Sequence, residues 1–158
     1  WARFLLPVAK DLGVKIATDL QDITDIADPY RQDFIEYSDI LFFSNTNYDS
    51  PEPIINHILK QFPEKILVSG MGSQGCALGT QKGIDYFSAM KIKGPIIDTN
   101  GAGDSLAVGF LSSHLLEEKN LRESIQLGQL TARYTCTQKA STSKLISRNK
   151  LEKLKNQI

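Results

Sequence analysis

Three short apolar runs, each preceded by a stretch with helical periodicity, set the strongest limit on what this chain can fold into. Phe4, Leu5, Val8, Ala9 and Leu12 recur at helical spacing with Gly13 as a stop, which predicts a helix over Arg3 to Leu12. Val14 to Thr18 then reads as a strand ending at Asp19. Asp28 and Pro29 supply an N-cap and a first-turn proline for a helix through Tyr37. Ile40 to Phe43 is a continuous apolar run of the kind buried on both faces. Ser50 and Pro51 open a third helix through Gln61, ahead of a strand at Lys65 to Ser69. Alternation with short connections predicts an α/β fold, a mostly parallel sheet with helices on both faces.

From Gly70 the texture changes. Gly70, Gly72, Gly75, Gly79 and Gly83 follow in quick succession, with Ala77–Leu78 and Ile84–Phe87 placed to pair as a hairpin. Pro95 to Ile97 reads as a short strand running into Asp98. A helix is expected from Gly103 to Glu118, with Leu106, Phe110, Leu111 and Leu115 on one face. A second follows over Leu121 to Thr135 and a basic one over Asn149 to Asn156. No repeat and no dividing linker interrupts the chain, so residues 1–158 are expected to form a single domain.

Composition narrows the function. Eighteen basic residues balance eighteen acidic ones over 158 positions, which gives no electrostatic footprint for nucleic acid. No apolar run approaches the roughly 18 residues a membrane span requires, so no membrane partner is expected. Cys76 and Cys136 form neither a metal spacing nor a disulfide framework, and the sequence start carries no signal-peptide pattern; a cytoplasmic protein is the expectation. A start at Trp1 rather than Met suggests a piece of a longer protein. His57, His114 and the basic tail (Lys144, Arg148, Lys150, Lys153, Lys155) read as surface or packing residues.

Two glycine-rich loops carry the chemistry. Gly70-Met71-Gly72-Ser73-Gln74-Gly75 matches G-x-G-x-x-G, the dinucleotide fingerprint, with Asp98 far downstream as a nominal ribose acid. That fingerprint needs a helix opening at the loop, and the spacing of Gly79 and Gly83 favours a hairpin instead, which counts against an NAD-binding oxidoreductase. A purely structural turn, or a flat nucleotide lying against the backbone, fits the same glycines. The second loop, Asp98-Thr99-Asn100-Gly101-Ala102-Gly103-Asp104, runs straight into a helix. Its three small residues let backbone N–H groups converge on an anion at a helix N-terminus. Asp104 in that first turn reads either as a cap or as a base that accepts a hydroxyl proton during phosphoryl transfer. No G-x-x-x-x-G-K-[ST], H-R-D or D-F-G motif occurs.

Asp98 to Leu111, DTNGAGDSLAVGFL, closely resembles the C-terminal signature of the ribokinase-like, or PfkB, carbohydrate kinases, and LVSGMGSQG resembles a second loop of that family. The resemblance implies the C-terminal, nucleotide-binding part of a ribokinase-like fold, without its lid and first strands. It implies that the complete protein moves the γ-phosphate of ATP to a hydroxyl of a sugar or related polyol. Asp104 then matches the base, and Gly101, Ala102, Gly103 and the Asp104 amide match the anion hole. Gly70, Met71, Gly72, Ser73, Gln74 and Gly75 match the ATP-lining segment, and the two loops together would grip ATP. Asp98 and Asn100 match a monovalent-cation loop, with potassium as the ion and Thr137 to Ala140 as its other wall; magnesium would accompany ATP. The family's N-x-x-E glutamate after the Ile40–Phe43 strand has no counterpart at that spacing in Ser44 to Tyr48. Pairing with an N-terminal portion or with a second copy, and a truncated nucleotide-binding module without activity, are the further expectations.

Overall fold

The computed structural model describes residues 2–139 and 145–156. They fall into two compact units, one ending at Phe87 and the other beginning at Ser88. The first unit is built on a five-stranded sheet: β1 (Ala17–Asp22), β2 (Ile40–Ser44), β3 (Ile66–Gly70), β4 (Cys76–Thr80) and β5 (Gly83–Phe87). The strands lie in sequence order. β1, β2 and β3 are parallel, joined through α2 (Pro29–Tyr37) and α3 (Glu52–Gln61), and β4 and β5 add an antiparallel hairpin.

Local chemistry explains where these elements begin and end. Asp28 caps α2 by accepting the Tyr30 N–H at 2.9 Å, with Pro29 in the first turn. The helix before β1, α1 (Ala2–Asp11), closes on Gly13 at φ +69. The Gly13 N–H bonds the Lys10 carbonyl at 2.9 Å and the Val14 N–H that of Ala9 at 3.0 Å, a Schellman ending. That ending corrects the expected Val14–Thr18 strand: Val14 is used in closing the helix, and the parallel ladder starts at Ala17, opposite Ile40. β1 also runs past Asp19. A register shift between Asp19 and Asp22 leaves Gln21 at φ +54, where its N–H is held by Asp19 Oδ1 at 2.8 Å.

Ile40, Leu41, Phe42 and Phe43 are all buried, so β2 is covered on both faces. On one face Leu41, Phe43, Leu67 and Ala77 pack with Ile35 of α2 and Ile54, Ile55 and Ile58 of α3. Lys65, only 2% exposed, ends the connection into β3 and donates its ammonium to the carbonyls of Glu36 (2.8 Å) and Ser38 (2.6 Å). It thereby satisfies the C-terminal end of α2 from inside the protein.

The second unit holds α4 (Ala102–Leu111), α5 (Leu121–Thr135) and α6 (Arg148–Lys155). α4 does not continue to Glu118 as an α-helix: it passes into a π-helical turn over Ser112–Leu116, so Leu115 emerges exposed instead of extending the buried face of Leu106 and Phe110. The strand expected at Pro95 to Ile97 does not form. Pro95 has no N–H to give a ladder, and the amides of Ile97 and Asp98 instead donate to the Cys136 carbonyl at the end of α5 (2.7 and 3.3 Å). α4 and α5 approach very closely, since a Cβ on Gly109 would lie 2.9 Å from Gly128 Cα and one on Gly128 would lie 2.7 Å from the Leu106 carbonyl oxygen.

Candidate functional site

In a parallel sheet, ligand-facing loops gather beyond the carboxyl ends of the strands. The first unit has a cleft of about 440 Å³ there. Ser44 at the end of β2 with Asn45, Thr46, Tyr48 and Asp49 beyond it form one wall, and Gly70 at the end of β3 with Met71, Gly72 and Gln74 beyond it form the other. The Asn45 N–H bonds the Gly70 carbonyl at 2.9 Å and ties the walls together. Within the first wall, Ser44 Oγ and Thr46 Oγ1 are 2.6 Å apart, and Asn45 Nδ2 donates to the Tyr48 carbonyl at 2.9 Å.

The glycine loop folds as a tight turn rather than a helix start. Residues Gly72–Gln74 make a single 3-10 turn, and the Met71 N–H bonds the Gly75 carbonyl at 2.8 Å before β4 begins. Gly72 at φ +57 and Gly75 at φ +108 occupy conformations that favour glycine. With no α-helix opening at the loop, its amides and dipole cannot serve a pyrophosphate in the dinucleotide manner. Met71 lies half-buried against the sheet core while also lining the cleft. Ser73 and Gly75 complete the turn.

The second loop lies in the other unit. Gly101, at φ +77, is the N-cap of α4 and provides no side-chain cap. The Ala102 N–H is already bonded to the Thr99 carbonyl at 3.1 Å, and the Ser105 N–H to that of Gly101 at 3.0 Å. The amides of Gly101, Gly103 and Asp104 have no hydrogen-bond acceptor among the described residues. The Asp104 side chain is exposed in the first helical turn, and a Cβ on Gly101 would stand 4.0 Å from its Oδ2. Thus the helix start presents three donors and a carboxylate together.

Asp98 and Asn100 fold on each other: Asp98 Oδ1 accepts the Asn100 N–H at 3.0 Å. Through the Cys136 carbonyl, this segment meets the end of α5, where Thr137 Oγ1 donates to the Tyr134 carbonyl at 2.7 Å. Ala140 lies outside the described residues, as does Lys144. Burial pushes the Cys136 thiol above its ordinary value; the Arg133 guanidinium pulls it down and Asp98 adds to the rise. Among the described residues no group of three His, Cys, Asp or Glu side chains could hold a metal ion by itself. His57 shares a 2.9 Å hydrogen bond with Gln61 on the surface of α3, and His114 packs against Phe110 with its Nδ1 3.1 Å from the Lys119 carbonyl.

Sequence reasoning found both glycine loops but did not name Thr46, Tyr48 and Asp49 as site residues. Their signals were position, immediately after an apolar strand that neighbours the strand feeding the glycine loop, and, for Thr46 and Tyr48, a place in the stretch aligned with the family's N-x-x-E segment.

Strands that present their loops at one end of a sheet, and a separate glycine-led helix start with open amides, define the class as α/β with ligand-facing loops. Residues 12–148 match the profile of the pfkB family carbohydrate kinases, and the chain belongs to that family. It is 25% identical over 140 residues to the acarbose 7(IV)-phosphotransferase of an Actinoplanes strain, a match covering 87% of this chain and 46% of that protein. It is also 25% identical over 127 residues to the nucleoside kinase of Methanocaldococcus jannaschii, covering 79% of this chain and 41% of the relative. Among solved structures, the microbiome-derived acarbose kinase Mak1 superposes with a TM-score of 0.86 at 26% identity, over 98% of this chain and 52% of that one. The chain spans less than half the length of both curated relatives.

Proposed function

We propose that this chain is the C-terminal, nucleotide-binding part of an ATP-dependent sugar kinase, folding as one domain over residues 1–158. The observation that carries the reading is the start of α4, where open amides of Gly101, Gly103 and Asp104 adjoin an exposed carboxylate. Aligned N–H groups at a helix N-terminus stabilise the charge on a phosphoryl group in transfer. Asp104 accepts the proton of the sugar hydroxyl as the new oxygen–phosphorus bond forms and the bond from phosphorus to the bridging oxygen of ADP breaks. Ala102 contributes smallness rather than a donor, because its amide is occupied.

Gly70 to Gly75 line the nucleotide's side of the first unit, four of them in the cleft wall. Asp98 and Asn100 shape a potassium-binding turn against the end of α5, and magnesium supplies charge neutralisation to ATP when bound. A small sugar or polyol is the acceptor; the cytoplasm, where ATP and cysteines outside disulfides such as Cys76 and Cys136 coexist, is the expected site of action. The partner is an N-terminal portion or a second copy of the chain. A second reading is nucleotide binding without transfer, since Ser44 to Tyr48 holds no glutamate at the spacing of the family's N-x-x-E motif. The test is Asp104→Asn in the active kinase: turnover falls by about 10²- to 10⁴-fold while ATP affinity is kept. Near-normal turnover would remove Asp104 as base, and nucleotide binding with no phosphate transfer to any sugar would establish the second reading.

A further inference from the structure

Residues 90–98 reach the glycine-led start of α4 without forming helix or strand, and Ile96 and Ile97 along them are exposed. Apolar burial gives this segment little hold, so its position depends on hydrogen bonds. One face of α5 supplies them at helical spacing. Gln129 Oε1 accepts the Met90 N–H at 3.1 Å. One turn later, Arg133 Nη2 donates to the Gly94 carbonyl at 2.8 Å and to that of Ile92 at 3.4 Å. At the end of the helix, the Cys136 carbonyl accepts from the Ile97 and Asp98 amides. Beyond the loop, Ser105 Oγ and Thr135 Oγ1 are 2.7 Å apart. The loop that carries Gly101 and Gly103 is thus tied to the same end of α5 on both sides. Arg133 Nη1 is shut off from solvent with no acceptor among the described residues. A buried donor left unpaired lowers stability, so packing alone does not account for an arginine at this position.

We propose that Arg133 is a positioning residue for phosphoryl transfer. By clamping the Ile92 and Gly94 carbonyls, it fixes where the Gly101, Gly103 and Asp104 amides stand relative to the phosphoryl group. It acts through residues 90–98 and not on the reacting atoms. The proposal rests on the kinase reading above. Donors aimed at a phosphoryl group count most in the transition state, and a misplacement of about 1 Å costs about 10²-fold in rate. Releasing the clamp therefore lowers kcat more than it raises KM.

The test measures kcat and KM for ATP in the active kinase, per folded molecule as judged by circular dichroism. Arg133→Ala lowers kcat by about 10- to 100-fold and leaves KM within about threefold. Guanidinium at a non-denaturing concentration restores part of the turnover of Arg133→Ala and none of that of Asp104→Asn. Lys93→Ala, which removes an exposed charge from the same segment, keeps the wild-type kcat. Hydrogen exchange at the Ile97 and Asp98 amides quickens in Arg133→Ala as the clamp opens. Where Arg133→Ala does not fold, Arg133→Lys takes its place: it keeps the charge, loses the planar guanidinium and lowers kcat by about threefold or more at unchanged KM. Wild-type kcat in the folded variant, or a loss that only follows the folded fraction and does not respond to guanidinium, makes Arg133 a structural residue; the proposal then falls and the kinase reading stands. If the wild type moves no phosphate from ATP, the kinase reading falls and takes the proposal with it.

Discussion

The crossing of α4 and α5 should respond to a single methyl group. In Gly128→Ala the new Cβ would lie 2.7 Å from the Leu106 carbonyl oxygen and 3.2 Å from both Leu106 Cδ1 and the Phe110 nitrogen. Ordinary contact begins near 3.4 Å, and two of the three atoms are backbone, so rotamer changes alone cannot relieve the clash and α4 must retreat. Overpacking of this kind costs about 1–3 kcal/mol, and closely fixed backbone places it towards the upper end. Alanine returns about 1 kcal/mol through helix propensity. The net expectation is a loss of about 1–2 kcal/mol, or roughly 2–8 °C in Tm for a chain of this size. Gly103→Ala is the control on the same pair of helices, since its Cβ would meet nothing within 4 Å and its φ is not positive; it should hold or raise stability. Urea unfolding of the three proteins decides the matter. Gly128→Ala as stable as the wild type, or Gly103→Ala equally destabilised, would refute the packing argument. Because the displaced helix carries Gly101 to Asp104 at its start, Gly128→Ala should also weaken any phosphate binding there.

Asp39 gives a pH signature. Burial alone would raise its carboxyl, but the Ile16 N–H bond at 2.9 Å and the ammoniums of Lys15 and Lys10 outweigh it and hold the group below its ordinary 3.8. A depressed carboxylate stabilises the fold above its unfolded value and loses that contribution as pH falls through the folded one. Asp39→Ala should therefore cost about 1.5–3 kcal/mol at neutral pH, with the gap to the wild type narrowing below pH 3.8 in urea titrations at several pH values. Removing the buried ammonium with Lys65→Met should leave the Glu36 and Ser38 carbonyls without their donor and cost about 1–3 kcal/mol. An unchanged unfolding midpoint for that variant would show that water satisfies the end of α2.

Much of the fold was legible because it rests on local chemistry. The Asp28–Pro29 cap, the apolar β2 run and the Gly79–Gly83 turn each state their structure within a few residues, and the elements appear where those signals lie. The two glycine loops were legible for the same reason: small residues at a turn or helix start are a backbone requirement written directly in residue type. The misplaced elements depended on partners distant in sequence. Val14 reads as strand until the Schellman closure of α1 claims its amide, and Pro95–Ile97 reads as strand until the Cys136 carbonyl captures its donors.

Sequence by itself determined the α/β alternation, the helix starts and the two loops, because each depends on side-chain periodicity or backbone freedom within one segment. Tertiary structure alone decided the rest. It set β2 beside β3 so that Thr46, Tyr48 and Asp49 came to share a cleft with Gly70 to Gln74. It buried a lysine among carbonyls from 27 and 29 residues away. It brought Gly109 against Gly128, a contact in which neither glycine is needed by its own helix and both are required by the other. Such contacts cannot be read from spacing, since they depend on which surfaces meet in the folded chain.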